Sequence, residues 1–223
     1  GEVREAVPHF EAAVRLRPDA ADAHYNLGNA LRSLGRHEEA IAHYEQALRA
    51  NPQMPDAEIA LGSALESSGR LRDAIAHYAQ ALRIFPDYAE AHNRLGIALA
   101  KSDRPQEAIT HFERALRTGA GQPDVHNNLG NALRATGRIQ EAIAQYEQAL
   151  QIDPVSVDAH INLGRTYART GRLQESIRHF EQALKLNPSS PAVHDDLGMA
   201  LVMGDRVSEG LAHFQTALRL DPN

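Results

Sequence analysis

The seven residues "NLGNALR" at Asn26–Arg32 recur unchanged at Asn128–Arg134. The two copies start 102 residues apart, which is three times 34. Sliding the chain by 34 residues brings out the same frame throughout. Leu-Gly recurs at Leu27-Gly28, Leu61-Gly62, Leu95-Gly96, Leu129-Gly130, Leu163-Gly164 and Leu197-Gly198. Ala-Leu recurs at Ala47, Ala81, Ala115, Ala149, Ala183 and Ala217, and a proline follows at Pro52, Pro86, Pro154, Pro188 and Pro222. A fixed period of this length is the signature of a stacked repeat. Residues 21–54, 55–88, 89–122, 123–156, 157–190 and 191–223 are six copies, and residues 1–20 supply the second half of another.

Each copy reads as two helices. Ala23, Leu27, Ala30, Leu31 and Leu34 share one helical face, and Gly35 breaks the pattern. Ala40, Ile41, Tyr44, Ala47 and Leu48 form a second face, which Pro52 closes. The glycine of every Leu-Gly pair lies inside the first helix, where it costs about 1 kcal/mol relative to alanine. Close approach of the paired helix, through equally small alanines, is the expected compensation. The fold class is therefore all-α, with about 13 helices in antiparallel pairs. Pro8 lies within the first helical pattern and is expected to delay that helix or kink it. The seam "TGAGQP" at Thr118–Pro123 carries two glycines where sibling copies have a helix end and a proline, and altered packing is expected there.

Composition narrows the function. The chain has 223 residues, a net charge of −6, no cysteine and no tryptophan. A net negative chain has no electrostatic support for nucleic-acid binding. Without cysteine there are no disulfides or thiolate metal sites. No apolar run is long enough for a membrane span. Arginine outnumbers lysine 21 to 2, a bias that points weakly to a GC-rich bacterial genome. The expected protein is soluble and cytoplasmic, with its compartment otherwise open. No nucleophile–base motif, phosphate loop or HExxH motif is present, so neither catalysis nor a cofactor is expected.

The frame resembles the tetratricopeptide repeat family. His24, Leu27, Gly28, Leu31, Gly35, Ala40, Tyr44, Ala47 and Pro52 occupy the places of its 34-residue pattern. Histidine or Glu58 replaces the leading aromatic, and leucine replaces the tyrosine except at Tyr167. Asp103 and Asp205 replace the turn glycine, Ala120 a proline, and Ser176 and Gly210 an alanine. The resemblance implies a right-handed α-solenoid whose first helices line a groove. It also implies a non-catalytic scaffold that binds a protein or extended peptide at positions 2, 5, 6, 9, 12 and 13 of each copy. Those positions include Tyr25, Asn26, Asn29, Arg32, Arg94, Lys101, Asn127, Asn128, Asn131, Arg134, Asn162, Arg165 and Arg169.

Two groove features are expected to matter. Asn26, Asn128 and Asn162 share one position, where an amide can both donate to and accept from a peptide backbone. A similar asparagine ladder lines the repeat arm of O-linked N-acetylglucosamine transferases, but here Ala60, Arg94 and Asp196 interrupt it. Arg94, Lys101, Arg134, Arg165 and Arg169 form a basic set suited to an acidic peptide. The carboxylate clamp of the family's co-chaperones is not expected, because Asn127, Asn131, Asn162, Ala192 and Asp196 lack both lysines and Asp196 has the wrong sign. Alternatives to the scaffold are the recognition arm of a larger enzyme, such as a glycosyltransferase, and a self-assembling array. The chain opens in mid-unit, with Gly1 at a turn-glycine place, and closes without a polar capping helix. Such ends suit a segment of a longer array or self-association through uncapped faces.

Twelve histidines raise a metal or pH-sensing possibility. His24, His92, His126, His160 and His194 share one position. His9, His43, His77, His111, His179 and His213 share another, leaving His37. A residue repeated once per copy forms a ladder instead of a converging site, so no metal is expected and the rings read as half-buried fillers or surface pairs. Glu45–Arg49, Glu113–Arg117 and Glu181–Lys185 are expected as helix-surface ion pairs, with Glu39–His43 and its equivalents beside them.

Overall fold

A computed structural model describes residues 2–119 and 121–222, so the expectations placed on Gly1 and Ala120 lie outside the described residues. The chain is all-helical there and divides into two compact units, residues 1–120 and 121–223. The division falls in the "TGAGQP" seam. The first unit holds α1 (Glu2–Leu16), α2 (Ala21–Ser33), α3 (His37–Ala50), α4 (Pro55–Ser67), α5 (Leu71–Ile84), α6 (Ala89–Lys101) and α7 (Pro105–Thr118). The second holds α8 (Pro123–Ala135), α9 (Ile139–Ile152), α10 (Val157–Arg169), α11 (Leu173–Leu186), α12 (Pro191–Met203) and α13 (Val207–Leu220). Within each unit every helix packs on the next, and the first helices of successive copies also touch: α2 on α4, α4 on α6, α8 on α10, α10 on α12.

The turn inside each copy is set by one residue. Gly35, Gly69, Gly137 and Gly171 have φ between 75 and 81°. The next residue then reaches back, Arg36 N–H to the Leu31 carbonyl at 3.0 Å and Arg70 N–H to Leu65 at 2.8 Å. This left-handed closure satisfies carbonyls that a helix end leaves open. Asp103 and Asp205 adopt the same conformation at φ 57 and 61°, which aspartate tolerates better than most side chains. Pro55, Pro105, Pro123 and Pro191 start helices, where no N–H is required. Pro8 does not delay its helix: α1 runs through it from Glu2. Its missing N–H falls on an exposed turn, where water can serve the unpaired carbonyl.

The mid-helix glycines are explained by rings, not by facing alanines. A Cβ on Gly28 would lie 2.6 Å from the Tyr44 ring. The equivalent clashes are Gly62 with Tyr78, Gly96 with Phe112, Gly130 with Tyr146, Gly164 with Phe180 and Gly198 with Phe214, all between 2.5 and 2.7 Å. Five of these six rings are essentially inaccessible. Each second helix thus lays an aromatic flat on the bare backbone of its own first helix, and leucines such as Leu27, Leu61 and Leu163 close the core around it. Between α11 and α12 the core is Ile177, Phe180, Ala183, Val193, Leu197, Ala200 and Leu201. Ser176, where most copies have alanine, is fully buried and its hydroxyl has no partner among the described residues.

The surface charges pair differently from the simple i,i+4 expectation. Arg36, at the α3 N-cap, forks onto Glu39 with bonds of 2.6 and 2.7 Å. Arg70–Asp73, Arg104–Glu107, Arg138–Glu141, Arg172–Glu175 and Arg206–Glu209 repeat the device. These acidic groups therefore answer the preceding arginine and not the histidine one turn on. Glu45–Arg49, Glu113–Arg117 and Glu181–Lys185 form no ion pair among the described residues. Arg49 instead donates at 3.4 Å to the Glu45 backbone carbonyl.

Candidate functional site

The first-helix face of each unit collects the polar positions, and its hydrogen bonds sort them into two groups. The duplicated "NLGNALR" stretch shows the first. Tyr44, lying on Gly28, donates its hydroxyl to Asn29 Oδ1 at 2.8 Å. Burial pushes its proton affinity up, and the Arg32 guanidinium beside it partly offsets that. Tyr146 does the same with Asn131 Oδ1 at 2.8 Å, and Arg134 Nε donates to its oxygen at 3.4 Å. In the second copy the Tyr78 hydroxyl donates to Glu66 at 3.0 Å instead. Where the ring is Phe112, Phe180 or Phe214 there is no hydroxyl to satisfy, and the asparagine gives way to Ile97, Arg165 and Met199. Asn29 and Asn131 are thus structural partners of buried tyrosines. Replacing Asn131 by alanine is expected to cost about 1–2 kcal/mol by stranding the Tyr146 hydroxyl, read as an earlier urea midpoint. Pairing it with Tyr146→Phe should recover most of that loss.

Most of the expected cations are also engaged. Lys101 Nζ lies 2.6 Å from Glu66, Arg165 lies 2.7 Å from Asp196, and Arg94 lies 3.5 Å from Glu90. Asn162 donates to Asn127 at 2.9 Å, tying α10 to α8. Asn26, Asn128 and Arg169 make no hydrogen bond or ion pair among the described residues, and Asn26 and Arg169 are exposed. Among the described residues, Arg32 and Arg134 form no ion pair with a carboxylate.

In the first unit, Tyr25, Asn29, Arg32 and Arg94 come together along one open polar cleft. Tyr25 is half-buried with its ring 6.1 Å from that of Tyr44. Asp56, Ile59, Ala60, Ser63, Glu90 and Tyr88 complete the lining. Tyr88 escapes the positional pattern because it caps α6 from the preceding turn. Its hydroxyl donates to Asp56, and that bond to a carboxylate raises its proton affinity well above the ordinary tyrosine value. Two arginines and two carboxylates line the cleft, so it is charged but balanced. In the second unit Arg134 and Arg169 stand at the C-terminal ends of α8 and α10, and Asp124 and Asp158 at the N-terminal ends. This arrangement suits the helix dipoles and leaves one basic and one acidic edge.

Among the described residues no three His, Cys, Asp or Glu side chains converge on a possible metal ion. No helix there is long and apolar enough to cross a membrane. Sequence profiles of the tetratricopeptide repeat match residues 1–55, 59–123 and 157–190, and a TPR-repeat profile matches residues 130–171. The chain belongs to the tetratricopeptide repeat family. No curated protein sequence matches it.

Solved structures share the TPR architecture. YrrB, described as a TPR protein with an unusual peptide-binding site, aligns with a TM-score of 0.68 at 22% identity, over 81% of this chain and 93% of that one. The type IV pilus biogenesis factor PilW aligns at 0.82 and 20% identity, over 90% and 93%. PilF of Pseudomonas aeruginosa aligns at 0.79 and 18% identity, over 93% and 94%. At these identities the likeness establishes the TPR fold, a scaffold typical of protein–protein interaction, and leaves the use of the first-helix face to be read from its residues.

Proposed function

We propose that this TPR chain is a non-catalytic scaffold that binds a partner protein through an extended peptide lying on the first-helix faces. The observation that carries the reading is the unspent hydrogen-bonding capacity of Asn26, Asn128 and Arg169, on a surface where Asn29, Asn127, Asn131 and Asn162 are paired. An asparagine amide matches a peptide group, donor to acceptor and acceptor to donor. Arg169 and Arg134 offer planar guanidinium groups to carboxylates, so the segment over α8 and α10 is acidic. Lys101, Arg94 and Arg165 contribute less, because Glu66, Glu90 and Asp196 already neutralise them. That YrrB is described as carrying a peptide-binding site is consistent with this use of the fold.

Selection of a displayed random-peptide library on the purified chain tests the proposal. Recovered peptides should be acidic and should lose binding when Asn128 and Arg169 are replaced by alanine. Peptides that bind this variant as well as the parent would overturn it.

A further inference from the structure

The histidines form a device that the first-helix face does not use. His24, His92, His160 and His194 lie on first helices, and His43, His111, His179 and His213 on the second helices of the same copies. The two Nδ1 atoms of each pair are 3.0, 3.0, 3.0 and 2.9 Å apart. The Nε2 atom of each first-helix histidine lies 2.9, 2.9, 3.3 and 3.1 Å from the carbonyl of Pro18, Pro86, Pro154 or Pro188, in the turn closing the preceding copy. A carbonyl only accepts, so that Nε2 carries the proton, its Nδ1 accepts, and the partner Nδ1 donates. A single hydrogen-bond chain therefore joins second helix, first helix and preceding turn.

Such a chain holds one added proton: the first-helix ring donates from both nitrogens, and its partner moves its own proton to Nε2. A second added proton leaves two N–H groups opposed at the same short distance. The bond is lost and two cations repel. We propose that these four histidine pairs are acid-sensitive joints, each accepting one extra proton but not two, so that acidification loosens successive repeats.

The surroundings act both ways: the facing carboxylates favour the charged rings, and burial, the neighbouring ring and nearby arginines outweigh them. Glu39 on α3 and Glu11 on α1 face the first pair. Glu107, Arg114 and Arg117 on α7 and Asp87 in the preceding turn face the second. Glu175 and Arg178 on α11 face the third, where the Tyr167 ring stacks 5.6 Å from His179 beneath Arg172 and donates to Glu147 on α9. Glu181 on α11 and Glu209 on α13 face the fourth. Glu39, Glu107, Glu175 and Glu209 are each already held by an arginine. Burial pushes His43, His92, His111, His160 and His213 below the ordinary histidine value. His179 is pushed down to about 4, first by burial and then by His160.

Unfolded histidines take up protons near pH 6.5, whereas these folded ones do so at lower pH. The unfolded state therefore binds more protons in between. The stabilisation is complete above about pH 6.5 and is lost as pH falls through the lowered folded values, that of His179 being about 4. Two copies are built otherwise. Buried Glu58 lies 2.7 Å from His77, and Gln145 lies 2.8 Å from His126.

The test borrows the Gln145 arrangement. His43→Gln, His111→Gln, His179→Gln and His213→Gln together keep a hydrogen-bonding partner and remove the second titrating ring. Between pH 7.5 and 5.0 the melting temperature of the parent should fall roughly twice as far as that of the variant. Equal falls would overturn the proposal. Nitrogen NMR of the parent gives a readout independent of the variant's folding. The first-helix rings should be Nε2–H tautomers, and no pair should be doubly charged at pH 5.5. Ordinary titration of all eight rings near pH 6.5 would overturn it equally.

Discussion

Replacing Gly96 by alanine should destabilise the chain by about 1–2 kcal/mol, although alanine is the better helix former by about 1 kcal/mol. The new Cβ would lie 2.6 Å from the ring of Phe112, which is 1% exposed and has nowhere to move. Phe112→Ala alone should cost about 3–5 kcal/mol, since it empties the largest side chain from the core of its copy. The two changes are coupled in sign. With Phe112 already alanine, the space above residue 96 is open and Gly96→Ala becomes neutral or stabilising through helix propensity. Urea denaturation of the parent, both single variants and the double variant measures this cycle. The same cost for Gly96→Ala in both backgrounds would mean that the glycines answer to something other than the rings.

The second large effect falls on binding. Reversing Arg134 and Arg169 to glutamate should weaken an acidic peptide by about 100-fold or more, given about 1.5–3 kcal/mol for each charge-assisted contact. Attraction becomes repulsion at the basic edge, so the parent's affinity should fall with added salt while the variant's residual affinity should not. Gln148→Glu adds a negative charge on the exposed side of α9 and should change affinity less than about twofold. Titration calorimetry at low and high salt separates these outcomes.

The frame of the fold was open to reading because packing constrains it in every copy. Leu27, Gly28, Ala30 and Leu31 recur since each copy stacks alike. The partner of the glycine is a ring and not a facing alanine, and its signal is regular: an aromatic follows each such glycine at a constant interval, from Gly28–Tyr44 to Gly198–Phe214. Asn29 and Asn131 looked like ligand contacts because their position faces the groove. Their coincidence with Tyr44 and Tyr146, against Ile97 with Phe112, gives them a role as hydroxyl acceptors, with the amide N–H groups left for other contacts. The engaged cations were harder. Lys101 meets Glu66 from the preceding copy and Arg165 meets Asp196 from the following one, pairings that depend on how first helices lie side by side. Glu39 carried two possible partners in the sequence. Arg36 takes it because its fork spans three residues of a helix start, while His43 is turned inward to His24.

Photo-crosslinking distinguishes a peptide lying on the first-helix faces from one bound elsewhere. A photoreactive residue is placed in turn at Asn26 and Asn128 on those faces, and at Gln46 and Gln148 on the exposed sides of α3 and α9. Each protein is then irradiated with a library-selected peptide. Adducts at residues 26 or 128 and none at 46 or 148 are the predicted result. Adducts confined to residues 46 and 148 would contradict it.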